Sequence, residues 1–145
     1  MKVNKASAVW QGSLKNGEGK MRLSANGSPI PFSFHTRFEN GDGTNPESLI
    51  GAAHAGCFSM ALSNLLTEEG YEPTEISTRA EVKLDSVDGE FKITESYLQT
   101  EADVPGIATA AFQKIAEKAK NSCPVSLALG TVTVRLDAKL VSKDQ

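Results

Sequence analysis

Thiol chemistry is what the residue types of this chain allow most directly. Its two cysteines, Cys57 and Cys123, are too far apart in sequence for a CxxC redox pair or a zinc knuckle. Cys57 lies in an apolar run, where one reading is a small buried filler among alanines, since free cysteine is among the most buried residue types. Its neighbours support a second reading. On a helix, Glu47 and His54 would be two turns apart and share a face, and Cys57, three beyond His54, would border the same stripe. Ionisable groups on an apolar helix are costly unless partnered, and Arg37 can supply a counter-charge to Glu47. That pair is either a purely structural salt bridge or a device that stabilises a nearby thiolate. A free thiol with a pKa of ~8.5 is only a few per cent ionised at neutral pH, and lowering it by ~2 units takes ~2.7 kcal/mol of preferential stabilisation.

Cys123 stands in Ser122-Cys123-Pro124. Asn121 and Ser122 end one helical pattern, and Pro124 with the apolar run 125–129 can open a short one. A thiol at a helix N-terminus has a stabilised thiolate, although a cysteine there can equally be inert. His54 reads as a core or supporting histidine that is also a candidate to touch a substrate. His35 has no evident partner and reads as solvent-facing.

The elements that must position these residues can be read from periodicity and turn signals. Strands are expected over 5–11, 20–24 and 30–38, separated by Asn16-Gly17-Glu18-Gly19 and Asn26-Gly27. In the third, Phe32, Phe34 and Phe38 fall on one face and Ser33, His35 and Arg37 on the other. After a loop over 39–44, Thr44 or Asn45 can cap a long helix with Pro46 in its first turn, ending near Glu69 with Gly70 as the stop. Its apolar residues surround most of its circumference, the mark of a helix enclosed by protein. One small chain can hardly enclose a helix of ~23 residues, ~35 Å long, which implies an oligomer that wraps it. A hairpin is expected over 76–85 and 91–100 around Asp88-Gly89, then a helix over 107–121 and a last strand over 131–141. Runs of neighbouring strands rather than strict alternation with helices argue α+β with antiparallel sheets.

With 145 residues, 39% hydrophobic and 23% charged, the chain reads as one globular domain over 1–145. A net charge of −3 supplies no bulk attraction to nucleic acid or to an anionic membrane. The most apolar stretch, 49–66, contains His54, Ser59, Ser63, Asn64 and two glycines, so a core helix suits it better than a bilayer. The first residues lack the apolar core of an export signal, so a reducing, cytoplasmic setting is expected.

The stretch 43–62, GTNPESLIGAAHAGCFSMAL, with Cys-Pro-Val-Ser at 123–126, strongly resembles the OsmC (osmotically inducible protein C) family of thiol peroxidases. Organic hydroperoxide resistance proteins are its relatives, and the Ala-His-Ala-Gly-Cys-Phe-Ser run looks like the OsmC branch. The resemblance extends over essentially the whole chain, including Trp10-Gln11-Gly12 and Phe34-His35-Thr36-Arg37-Phe38. It implies an α+β, OsmC-like fold: antiparallel sheets wrapped around a long buried central helix in an intertwined homodimer, with active sites at the interface. It further implies that Cys57 is the peroxidatic thiolate and that Cys123 resolves its sulfenic acid to a disulfide. Arg37 matches the residue that stabilises the thiolate and orients the peroxide, and Glu47 matches its carboxylate partner. An external dithiol (a lipoylated protein, thioredoxin or a small thiol) would recycle the enzyme, with no cofactor or metal.

The apolar surroundings suggest alkyl or lipid hydroperoxides, with Phe38, Phe58, Met60 and His54 as candidates to meet them. Two other readings compete with a peroxidase. One is a carrier of an apolar ligand at a dimer interface with inert thiols. The other is a Cys–His hydrolase using Cys57 and His54, for which no orienting group for the histidine is evident. Peroxide-dependent pairing of the thiols separates the first reading from both.

Overall fold

A computed structural model describes residues 1–142. The chain forms two compact units, Met1–Leu49 and the part from Ile50 onward.

The first unit is a meander of β1 (Ser7–Gln11), β2 (Glu18–Arg22) and β3 (Ile30–Phe32), all antiparallel. Gly19 faces Trp10 on one side and Phe32 on the other. Those two rings lie 5.4 Å apart, and a Cβ at Gly19 would come within 2.6 Å of both, so only glycine fits between them.

The expected strand over 30–38 is corrected here: it stops at Phe32, and Phe34–Phe38 forms a short helix, α1. Ser33 caps it, accepting from the Thr36 N–H while the Thr36 hydroxyl accepts from the Ser33 N–H at 2.8 Å. This reciprocal box satisfies two otherwise orphaned donors. Phe34 and Phe38, four apart, suit a helix as well as a strand, and their rings meet at 5.0 Å.

The long helix α2 runs Pro46–Glu68. Asn45 is its cap, its Oδ1 accepting from the Ser48 N–H at 2.8 Å, and Pro46 sits where a missing N–H costs nothing. At the far end Gly70 has φ +90, and Tyr71 and Gly70 donate back to the Leu66 and Thr67 carbonyls. This is the glycine stop expected there.

In the second unit, Gly51, His54, Phe58, Leu62 and Leu66 form a buried stripe along α2, while Ala52, Ala53, Gly56 and Met60 are exposed, Met60 at 76%. By length and composition α2 would also suit a bilayer, but its stripe is part of a protein core. β4 (Glu75–Val87) and β5 (Glu90–Asp103) form the hairpin, closed by Asp88 and Gly89, both with positive φ. After β5 come α3 (Thr109–Ser122) and α4 (Pro124–Ala128), then β6 (Thr133–Leu140).

β6 pairs with β5 in parallel, from Glu95↔Thr133 to Ala102↔Leu140. The other pairings are antiparallel as expected. This one differs because two intervening helices carry the chain back along the sheet before β6 begins. The core gathers Phe58, Leu62 and Leu66 of α2 with Leu98, Ala102, Phe112, Ala116, Ala119, Cys123 and Ala138. The architecture is α+β.

Candidate active site

In the second unit, α2 presents Cys57, and the junction of α3 and α4 presents Cys123. Cys123 closes α3 by donating its N–H to the Ala119 carbonyl at 3.0 Å and starts α4, so its backbone is held on both sides. Its thiol lies within hydrogen-bonding distance of the Cys57 thiol, the sulfurs 2.9 Å apart. Both cysteines are free thiols, less than ~1 Å beyond the length of a disulfide bond. Cys123 is fully buried and Cys57 partly exposed.

Burial pushes the Cys57 thiol above its ordinary pKa, and the neighbouring Cys123 thiol adds to this. The Val125 N–H, bonded to the same sulfur, pulls the other way. The immediate surroundings of Cys57 in its own unit therefore favour the neutral thiol.

His54, one turn before Cys57, is fully buried, with Nδ1 2.7 Å from the Ser96 hydroxyl and Nε2 2.7 Å from the Ser126 hydroxyl. Burial lowers its pKa and so favours the neutral imidazole. Both ring nitrogens are engaged, which leaves neither for a substrate nor for deprotonating Cys57. Ser126 belongs to the Cys-Pro-Val-Ser motif. Sequence reasoning missed Ser96, although a serine on the core face of a strand, two before the buried Leu98, must find a polar partner.

In the first unit, α1 carries Arg37 to Glu47. Arg37 donates from Nη2 to Glu47 Oε1 at 2.8 Å and from Nε to both carboxylate oxygens at 3.1 and 3.3 Å. Glu47 is buried and Arg37 about one-third exposed. Asn45 locks this corner by donating to the Thr36 carbonyl at 2.8 Å. Beside Arg37 opens an apolar pocket of about 290 Å³ whose walls include Trp10, Leu14, Phe32, Phe34 and Phe38. Phe38 is thus placed where an apolar group could bind.

Phe58 is not: it is 0% exposed in the core of the second unit, which corrects its candidacy as a pocket wall. Met60 lies on the open face of α2, in a shallow recess with Ser63 and Pro73. His35, expected to lack a partner, pairs with Glu39 one turn on at the surface. Among the described residues no group of three or more His, Cys, Asp and Glu side chains could hold a metal ion.

A family model of OsmC-like proteins matches residues 39–137, which include α2, both cysteines and Glu47. The chain belongs to the OsmC family. Peroxiredoxin OsmC of Escherichia coli is 49% identical over 139 residues, 95% of this chain and 96% of that relative. An organic hydroperoxide resistance protein of Xanthomonas axonopodis pv. citri is 35% identical over 98 residues, 66% of this chain and 67% of the relative. Among solved structures, the organic hydroperoxide resistance protein OhrB of Bacillus subtilis superposes with a TM-score of 0.74 at 28% identity, over 93% of this chain and 98% of that one. A corresponding protein of Elizabethkingia anophelis gives 0.75 at 26% identity, over 97% and 99%. The OsmC membership accounts for the two motifs around Cys57 and Cys123 occurring together in one chain.

Proposed function

We propose that this OsmC-family chain is a thiol peroxidase that reduces organic hydroperoxides, with Cys57 as nucleophile and Cys123 as resolving thiol. The observation that carries the reading is the 2.9 Å approach of the two sulfurs. The Cys57 thiolate attacks the terminal peroxide oxygen. The O–O bond breaks, the alkoxide leaves as an alcohol after protonation, and Cys57 becomes a sulfenic acid. Cys123 then attacks that sulfur: an S–S bond forms, the S–OH bond breaks, and water leaves. An external dithiol reduces the disulfide, and no step calls for a metal or cofactor.

To Arg37 we assign, on the family resemblance, the stabilisation of the thiolate and the orientation of the peroxide. Glu47 holds the guanidinium in its bidentate pose. The aromatic pocket beside Arg37, with Phe38 in its wall, suits the hydrocarbon tail of a hydroperoxide better than hydrogen peroxide. The uncovered apolar face of α2, with Met60, suits burial against a second copy in a homodimer.

The pocket also favours a second reading, a carrier of an apolar ligand with inert thiols. One measurement separates the two: thiol titration with intact mass, before and after one equivalent of tert-butyl hydroperoxide without air. A peroxidase loses both thiols with no added oxygen, and Cys57→Ser abolishes the response. A carrier keeps both thiols.

A further inference from the structure

Resolution requires Cys123 to stay beside Cys57 while Cys57 changes from thiol to sulfenic acid, so what holds α4 matters. α4 has only five residues, buries none of them fully, and has no side-chain cap. Leu127 on it is 66% exposed. A helix this short does not hold itself together in water. Its ties to the rest of the unit are therefore decisive.

Two of those ties fall on Cys57 itself, from the Cys123 thiol and the Val125 N–H, and both change when Cys57 is oxidised. A third does not involve the reacting sulfur. Ser126, three residues after Cys123, meets His54 Nε2 at 2.7 Å, and Nδ1 is fixed by Ser96 on the central strand β5. His54 and Ser96 are both fully buried, so the inner bond of this chain is shielded from competing water, while the outer one ends on the half-buried Ser126. It links β5 through α2 to α4 with every ring nitrogen satisfied.

We propose that His54 is a positioning residue for the resolving step, holding α4 through Ser126 so that Cys123 stays in reach of Cys57 after the first oxidation. The inference rests on the peroxidase reading. Two reactions compete for the Cys57 sulfenic acid. Cys123 can attack it, forming the disulfide and releasing water. A second hydroperoxide can instead oxidise it to the sulfinic acid, releasing an alcohol. The ratio of disulfide to sulfinic acid therefore reports how well α4 is held.

The test compares wild type with Ser126→Ala and Ser126→Thr, with stopped-flow rates for both steps and mass analysis of the products. Ser126→Ala is expected to keep the wild-type rate of first oxidation and to slow disulfide formation roughly three- to tenfold, the value of one hydrogen bond. Sulfinic acid should rise in proportion. Ser126→Thr, which keeps the hydroxyl, should restore the wild-type ratio. His54→Phe combined with Ser126→Ala should be no worse than either alone, since both remove the same link. If His54→Phe does not fold, the two Ser126 variants decide the matter.

A Ser126→Ala protein that melts earlier but keeps the wild-type product ratio would overturn the proposal, leaving His54 a core residue. Equal slowing of both steps would also overturn it. If wild type itself forms no Cys57–Cys123 disulfide, the peroxidase reading fails and takes this one with it. If wild type forms it and Ser126→Ala does so as fast, only the role of His54 falls.

Discussion

The Cys123 sulfur lies 2.9 Å from that of Cys57 in a fully buried position, while Cys57 itself is partly open to solvent. The two sulfurs of one pair thus have different access to solvent and different surroundings.

The reactivity of Cys57 follows from those surroundings. Burial raises its pKa first, and the Cys123 thiol raises it further. Raising the pKa of a thiol depletes the thiolate at a given pH, so alkylation by iodoacetamide should accelerate as pH rises through and beyond the ordinary thiol range. Replacing Cys123 by alanine removes the second cause, so the alkylation profile should move to lower pH. An unmoved profile would show that the neighbouring thiol does not set the Cys57 pKa.

Access sets the direction of recycling. A reductant thiolate must approach a sulfur in line, and in this unit only Cys57 offers surface. Reduction of the disulfide by glutathione should give a mixed disulfide on Cys57 and release Cys123. In Cys123→Ser protein oxidised by one equivalent of peroxide, peptide mapping should find the glutathione adduct on Cys57. In Cys57→Ser protein treated with oxidised glutathione, where attack by Cys123 would give the mixed disulfide and release glutathione, Cys123 should resist glutathionylation. Rapid labelling of Cys123 would refute the argument.

Arg37→Lys keeps the charge but loses the fork that meets both Glu47 oxygens. Arg37 is about one-third exposed, so the change in stability should be small, about 1 kcal/mol or less. First oxidation of Cys57 should nonetheless slow about tenfold, less than the roughly hundredfold or more for losing a preorganised donor outright, because Lys keeps the charge. Equal rates for Arg37→Lys and wild type, followed by stopped-flow, would make the pair purely structural.

His54 gives a pH dependence of stability whose sign can be worked out. Burial lowers its pKa in the folded state, so between that value and the ordinary 6.5 the unfolded chain binds more protons. Stability is therefore full above about 6.5 and is lost as the pH falls below it. Melting temperatures taken between pH 5 and 8, in steps of about half a unit, should fall on the acid side for wild type. They should fall less for His54→Gln, which cannot take up that proton.

Most of what positions the chemistry was legible where local signals act alone. Asn45 and Pro46 at one end of α2 and Gly70 at the other mark its limits by chemistry confined to a few residues. The pairing of Arg37 with Glu47 could be anticipated because a carboxylate on an apolar helix needs a partner. Phe34 and Phe38 satisfy two periodicities at once, and the Ser33–Thr36 box decides for the helix. The direction of β6 was not legible, because nothing within a strand records which way its neighbour runs. Phe58 fits a core position or a pocket wall equally well in sequence, because its face of α2 is assigned by what packs on it.

The topology that brings Cys123 to the site also sets when it arrives. β4 and β5 are joined by a two-residue turn, whereas β6 can pair with β5 only after α3 and α4 have crossed back. Pairings between near neighbours in sequence form early and distant ones late. A chain still folding therefore owns a nucleophile before it owns a rescuer. Peroxide present during refolding is expected to leave more Cys57 sulfinic acid than the same dose given afterwards, and equal yields by mass would show that the two thiols meet at once. The vulnerable moment for such a protein is its own birth, before the second thiol has taken its place.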